Sequence, residues 1–365
     1  MSNMASLILY IGTFFLSAIL MYIGERKKQK LFIVLSLLLP ALLAGFRYYV
    51  GTDFYIYESM YNSTQNMSIL DFLADSKVPL EVAFFFLIKL CSFFTNQSWL
   101  FYLSTALITT IFFYLGIRKL NLPNKSLVYL LFLFGMFPMM MNIMRQAAAI
   151  SILFFSIALM LKGKTKKSIL FALLAITFHT SAIFITPILL AASFMRKHPL
   201  NRKTIVTVSI ISIATSLLFF LIATYGFDVI VEMFGLENKY GAYLEDGDLG
   251  ENATIMIKLA FLGLFIIFRK QLLYEKPYYS FFLFATIMYT SLGFFGYISN
   301  PIKRMGNYLT PFQLIIMSAL PSIFNTSTEK KIGKILLAAY LISYFSLSYY
   351  VLGHSEIIPY NTIWG

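Results

Sequence analysis

Three arginines stand where arginine is disfavoured in a chain this apolar. Arg47 follows the second long apolar run, Arg145 sits in the tight turn between runs 126–144 and 146–162, and Arg304 precedes run 306–325. A guanidinium is costly near a bilayer and usually has a partner there. Its planar fork suits bidentate capture of phosphate. One such arginine would read as a side chain reaching to lipid headgroups; three at similar depth point to a phosphorylated, lipid-anchored substrate. Two further groups could move a proton. Asp53 lies in Arg47-Tyr48-Tyr49-Val50-Gly51-Thr52-Asp53-Phe54-Tyr55-Ile56-Tyr57, a segment that turns at Gly51 and presents a carboxylate among tyrosines. It could act as general base toward a sugar hydroxyl, or it could cap a turn or pair with Arg47. The tyrosines fit an interfacial aromatic belt and equally a sugar cleft, with their apolar faces and polar tips. His179 falls in Phe178-His179-Thr180-Ser181, where a helix end leaves backbone groups free. Imidazole can exchange a proton near neutral pH, although a histidine there could also just satisfy a carbonyl. Arg145-Gln146 and Lys303-Arg304 with Tyr308 are shorter and less specific motifs.

These residues must be held by membrane helices. The chain of 365 residues is 59% hydrophobic and only 12% charged, whereas soluble domains carry about 25% charged residues. Apolar runs lie at 4–24, 30–46, 98–117, 126–144, 146–162, 168–178, 181–195, 204–224, 253–269, 277–299, 306–325 and 332–352. Most reach the ~17–25 residues that cross the hydrocarbon core as a helix. This predicts an all-α polytopic membrane protein of about twelve transmembrane helices, a single integral membrane domain over 1–365. The short pair 168–178 and 181–195 reads as a helical hairpin. Residues 80–94 are too short to span, carry Glu81 and Lys89, and read as a helix lying on the membrane surface.

Charge placement sets the expected orientation. Clusters at 26–30, 118–125, 162–167, 196–203, 269–276 and 330–334 hold most of the 29 Lys and Arg. All fall on one side, which the positive-inside rule makes the cytoplasm. Most carboxylates fall opposite, in a first external loop (47–97), an acidic external loop (224–252) and the tail. The net charge of +13 is therefore a topology signal, and no nucleic-acid partner is expected. The acidic loop lacks the ligand spacing of a calcium loop and reads as a solvated loop. The single cysteine, Cys91, excludes a disulfide framework and a multi-cysteine metal site. No Gly-rich phosphate loop, H-E-x-x-H motif or G-x-S-x-G elbow is present. Neither a metal nor a cofactor is expected.

Several motifs recur in a fixed order. Arg47-Tyr48-x-x-Gly51-Thr52-Asp53-Phe54-x-x-Tyr57 is followed by Glu81 opening an amphipathic helix. Then come Met144-Arg145-Gln146 with an alanine-rich continuation, Phe178-His179-x-Ser181-Ala182, Arg304-x-x-x-Tyr308 and Pro359-Tyr360. In this order and spacing the chain resembles the EpsG family of Wzy-like polysaccharide polymerases, with Phe54 standing where that family usually has tyrosine. The resemblance implies a GT-C-like fold with surface helices in the first external loop, in a bacterial inner membrane, with the site facing outside. It implies a glycosyltransferase that joins undecaprenyl-diphosphate-linked repeat units for capsule, exopolysaccharide or O-antigen. Its donor and acceptor are lipid-linked glycans, and a chain-length regulator and a flippase fit as partners. The catalytic residues would be Asp53 or His179, with Arg47, Arg145, Gln146, Arg304, Tyr308, Tyr57 and Tyr360 binding diphosphate or sugar. Two other classes use similar residues. A transporter or flippase for lipid-linked glycans would spread polar groups to both faces or show inverted repeats. A membrane O-acyltransferase would use His179 as its base and needs a cytoplasmic route for its acyl donor.

Overall fold

A computed structural model describes residues 1–74, 80–197, 252–268, 278–295 and 300–364, with a few positions between 209 and 217. The expected span at 204–224 and the acidic loop at 224–252 fall almost wholly outside these residues. Among the described residues the elements are all helical. Four helices there are long and apolar enough to cross a membrane: Asn3–Lys27, Trp99–Leu120, Met144–Leu161 and Ser327–Val351. Lys30–Gly45, Val82–Phe94, Lys125–Gly135 and Tyr279–Phe294 are apolar but shorter. This is a membrane protein. Its chain forms two compact units, Met1–Ala182 with Thr326–Gly365, and Ile183–Asn325.

The first unit contains α1 (Asn3–Lys27), α2 (Lys30–Gly45), α3 (Phe54–Thr64), α4 (Ile69–Ala74), α5 (Val82–Phe94), α6 (Trp99–Leu120), α7 (Lys125–Gly135), α8 (Phe137–Met140), α9 (Met144–Leu161) and α10 (Thr165–Phe178), closed by the C-terminal helix Ser327–Phe345. Buried along almost its whole length, α9 is the centre. It packs between α6 and α10, while α2 packs on α6, and α1 on α2 and α7. Small residues set how close these helices come. At Gly116 of α6 a Cβ would lie 2.4 Å from the Phe154 ring of α9, so only glycine fits there. Across the other face of α9, the Ser156 hydroxyl donates to the Ser168 carbonyl at 2.7 Å. A hydroxyl in an apolar interior needs such an acceptor.

The run 126–144 is not one helix. It stops at Gly135, makes a single turn over Phe137–Met140 and turns again before α9. Pro138 has no N–H to donate to the carbonyl of residue 134, and its ring clashes with that turn. In the second unit the run 306–325 is similarly shortened. The helix Thr310–Ala319 begins with Pro311 in its first turn, and the chain passes into a 3-10 turn, Leu320–Ile323, containing Pro321. A proline is tolerated at a helix start but not further along. Thr310–Ala319 and Asn300–Gly306 pack on Tyr279–Phe295, which also packs on Asn252–Ile267.

Two ends of the first unit can be told apart by their polar groups. Lys125 makes an ion pair with Glu25, and the Tyr114 hydroxyl donates to the same carboxylate at 2.6 Å. These contacts gather the basic clusters at 26–30 and 118–125 at one end. The next basic cluster, 162–167, lies at the turn from α9 to α10; the other ends of those two helices carry Arg145 and His179. Three short helices, α3 to α5, make up most of the segment between α2 and α6. One face of α5 is buried through Phe84, Phe85, Ile88 and Cys91. Its other face leaves Val82, Phe86, Leu90 and Phe93 exposed, an apolar stripe suited to lipid.

The C-terminal segment is tied back across the start of this region. Arg47 and Thr362 form an isolated antiparallel bridge. The Tyr48 N–H donates to the Asn361 carbonyl at 2.9 Å, and the Gly51 N–H to the Glu356 carbonyl at 2.9 Å. The Asn142 amide donates to the Ser355 carbonyl at 2.9 Å.

Candidate functional site

At the start of α9 and the end of α10 two charged or titratable side chains meet on one carboxylate. Glu81 sits just before the first turn of α5 in extended backbone. Its side chain is 3% exposed, with Oε2 2.9 Å from Arg145 Nη1 and Oε1 3.0 Å from His179 Nδ1. Each element brings its residue here for a local reason. The Asn142-Ile143 turn starts α9 with Arg145 at its N-terminal end. That end favours anions and disfavours cations, so helix stability does not explain an arginine there. At the other helix His179 takes an extended conformation that ends α10. This turns the imidazole out of the helix and toward α5, which packs on α10.

Tyr57 joins the cluster through Arg145. The Tyr57 hydroxyl lies close to the Arg145 charge and its N–H groups. Burial pushes its pKa up; the Arg145 charge and hydrogen bonds pull it back, and the nearby Asp53 charge pushes it up again. Asp53 is half-buried immediately before α3. Its side chain does not cap that helix, and it accepts a hydrogen bond from the Thr52 hydroxyl at 3.1 Å. Beside it Tyr48, Tyr49 and Tyr55 form an exposed aromatic stack, with Tyr49 and Tyr55 rings 4.9 Å apart and nearly parallel. Tyr49 holds a positive φ of 51°, a conformation that costs a non-glycine residue about 1–3 kcal/mol.

Arg47 is placed differently from Arg145. It is 1% exposed, its Nη2 donating to the Met141 carbonyl and reaching Met144 Sδ at 3.3 Å. Its guanidinium carbon lies 4.9 Å from the Tyr102 ring centre, a cation–π contact. Burial pulls its pKa down, and the surrounding tyrosines Tyr102, Tyr10, Tyr57 and Tyr360 oppose that. A cavity of about 20 Å³ beside it has room for roughly one water. Tyr360 is also buried, its hydroxyl donating to the Leu43 carbonyl at 2.8 Å. That carbonyl is among the last of α2, which have no partner within their own helix. Burial pushes Tyr360 up to about 12 despite the Arg47 charge. Gln146 is buried beside Arg145 in the first turn of α9. Arg304, half-buried in Asn300–Gly306, and Tyr308, buried just after it, belong to the second unit.

A family model described as the EpsG family matches residues 30–362, nearly the whole chain. The chain belongs to the EpsG family. No curated protein and no solved structure matches it. Within this EpsG-family chain, Arg145 and His179 share Glu81, and Tyr57 and Asp53 lie in the same region of the first unit. Reading the sequence gave Glu81 no role beyond opening α5. Its signal was present all the same: a carboxylate at the head of an apolar helix is costly to bury unless something pairs with it, and Arg145 and His179 were both in search of a partner. Asn142 and Ser355 carried no such signal, because their contact joins positions more than two hundred residues apart. Among the described residues no group of three or more His, Cys, Asp or Glu side chains could hold a metal ion.

Proposed function

We propose that this protein is a polysaccharide polymerase, a glycosyltransferase that joins undecaprenyl-diphosphate-linked repeat units on the outer face of the bacterial inner membrane. Its product would serve a capsule, an exopolysaccharide or O-antigen. The fold would be GT-C-like with about twelve transmembrane helices, and with α3 to α5 as the surface helices of the first external loop. The observation that carries this reading is the Glu81–Arg145–His179 cluster, in a chain of the EpsG family. It unites a cation for phosphate and a base for a hydroxyl at the ends of α9 and α10 remote from their basic turn. That turn would face the cytoplasm.

In this reading Arg145 grips the donor diphosphate and stabilises the charge that develops as the diphosphate leaves. Either His179 or Asp53 takes the proton from the acceptor hydroxyl. The exposed tyrosines beside Asp53 present flat faces to the acceptor sugar. Roles for Arg304, Tyr308 and Gln146 in substrate binding rest on their sequence motifs. Buried Arg47 and Tyr360 are better suited to bracing the loop that carries Asp53 than to touching a glycan.

The test is reconstitution of the purified protein in liposomes with its native lipid-linked repeat unit. A ladder of lengthening lipid-linked products, with no other enzyme present, is expected. Failure to lengthen any such unit, with the protein folded and correctly inserted, would refute the activity.

A further inference from the structure

The geometry points to Glu81 as a positioning residue that locks His179 in one tautomer and so makes His179, not Asp53, the group that takes the acceptor proton. This rests on the polymerase reading above. The Arg145 guanidinium stays protonated, as arginine does in proteins. Its 2.9 Å contact with Oε2 keeps the buried Glu81 carboxylate ionised, because an uncompensated charge there would be costly. An ionised carboxylate can only accept hydrogen bonds. The 3.0 Å contact between Glu81 Oε1 and His179 Nδ1 therefore requires the proton on Nδ1. In neutral imidazole that leaves the Nε2 lone pair bare. Nε2 makes no hydrogen bond to a described residue, and the imidazole is 12% exposed, so it can be reached from the site. The same division of labour between a carboxylate and the two ring nitrogens operates in serine-protease triads. Asp53 has no comparable support: among the described residues its side chain is held by the neighbouring Thr52 hydroxyl alone.

A bond forms between the acceptor hydroxyl oxygen and the donor's anomeric carbon, and the anomeric carbon–oxygen bond to the diphosphate breaks. The bonding pair leaves on the phosphate oxygen, and the hydroxyl proton passes to His179 Nε2. Before reaction Arg145 and Glu81 cancel in charge. Proton transfer makes the cluster positive just as the leaving diphosphate gains negative charge, so the two changes stabilise each other. Glu81 thus serves twice, fixing the tautomer and muting Arg145 until the proton arrives.

The chain has three histidines, which makes nitrogen-15 NMR of histidine-labelled protein practicable, with the His179 signals assigned by their loss in His179→Gln. The expected result is the Nδ1–H tautomer for neutral His179 in the wild-type protein, and loss of that preference in Glu81→Gln, whose amide can donate or accept. In the reconstituted assay Glu81→Gln should lower kcat by about 10²–10⁴, the worth of general-base catalysis, with little change in the KM for lipid-linked substrate. Glu81→Asp should restore the Nδ1–H tautomer and part of the rate, and Asp53→Asn should lose far less rate than His179→Gln. An Nε2–H tautomer in the wild-type protein overturns the inference without any variant having to fold. So does an Asp53→Asn variant as inactive as His179→Gln. The expected tautomer in a protein that lengthens no glycan would instead refute the polymerase reading alone.

Discussion

Gly51 offers a sharp test of how the loop bearing Asp53 is held. Its φ is +101°, and a Cβ placed there would lie 2.2 Å from Asn142 Oδ1 and 3.3 Å from Arg47 Nη1. Gly51→Ala therefore carries two costs. An L-residue in this backbone region is strained by about 1–3 kcal/mol. The new methyl must also displace the Asn142 amide, whose bond to the Ser355 carbonyl at 2.9 Å is worth about 0.5–1.5 kcal/mol. Together the loss should be about 2–4 kcal/mol, a large share of a typical folding free energy. The two costs can be separated by a double-mutant cycle. Asn142→Ala forfeits the bond and clears the obstacle, so Gly51→Ala on that background should pay only the backbone strain. The coupling between the two positions should be on the order of 1 kcal/mol. The assay is unfolding titrated in mixed detergent micelles, paired with limited proteolysis of the C-terminal segment, which should become more accessible in Gly51→Ala. The reasoning fails if Gly51→Ala is as stable as wild type, or if its cost is the same with and without Asn142.

Three further outcomes can be measured. Arg145→Lys keeps the charge but loses the planar fork that meets Glu81; a contact worth about 1.5–3 kcal/mol corresponds to a rate loss of roughly ten- to over a hundredfold. Unchanged polymer yield would leave Arg145 as no more than the counter-ion of Glu81. On a Cys91→Ser background, maleimide applied outside intact cells should label Gln65→Cys and Ser355→Cys but not Thr165→Cys or Lys330→Cys; the reverse pattern would put the cluster on the wrong face for a lipid-linked glycan. Tyr360→Phe should cost about 1 kcal/mol of stability for its lost hydrogen bond while leaving polymerisation near wild type, and a dead but stable variant would return Tyr360 to the substrate site.

The membrane character and the helical apolar runs among the described residues were legible in the sequence. They depend on composition and on local periodicity, and both survive whatever the tertiary fold does. Local chemistry was readable too. Gly51 was recognisable as a turn, and the break at His179 follows from the residues around it. Where helices actually stop was less accessible: Pro138 and Pro311 each cut an apolar run that hydropathy reads as continuous, because hydropathy registers a side chain's polarity and not its missing N–H. Tertiary structure decided which polar residues share a partner. Arg47 and Arg145 look alike in sequence, each an arginine at a helix end. One is sealed against Tyr102 and the Met141 carbonyl, while the other meets Glu81 and Tyr57. Glu81, Arg145 and His179 are separated by 64 and 98 positions from the first to each of the others, and no local pattern joins them. Only the packing of α5 on α10, and of α10 on α9, brings their side chains within hydrogen-bonding distance. The low dielectric of that buried site then makes an unshared charge too costly to leave alone.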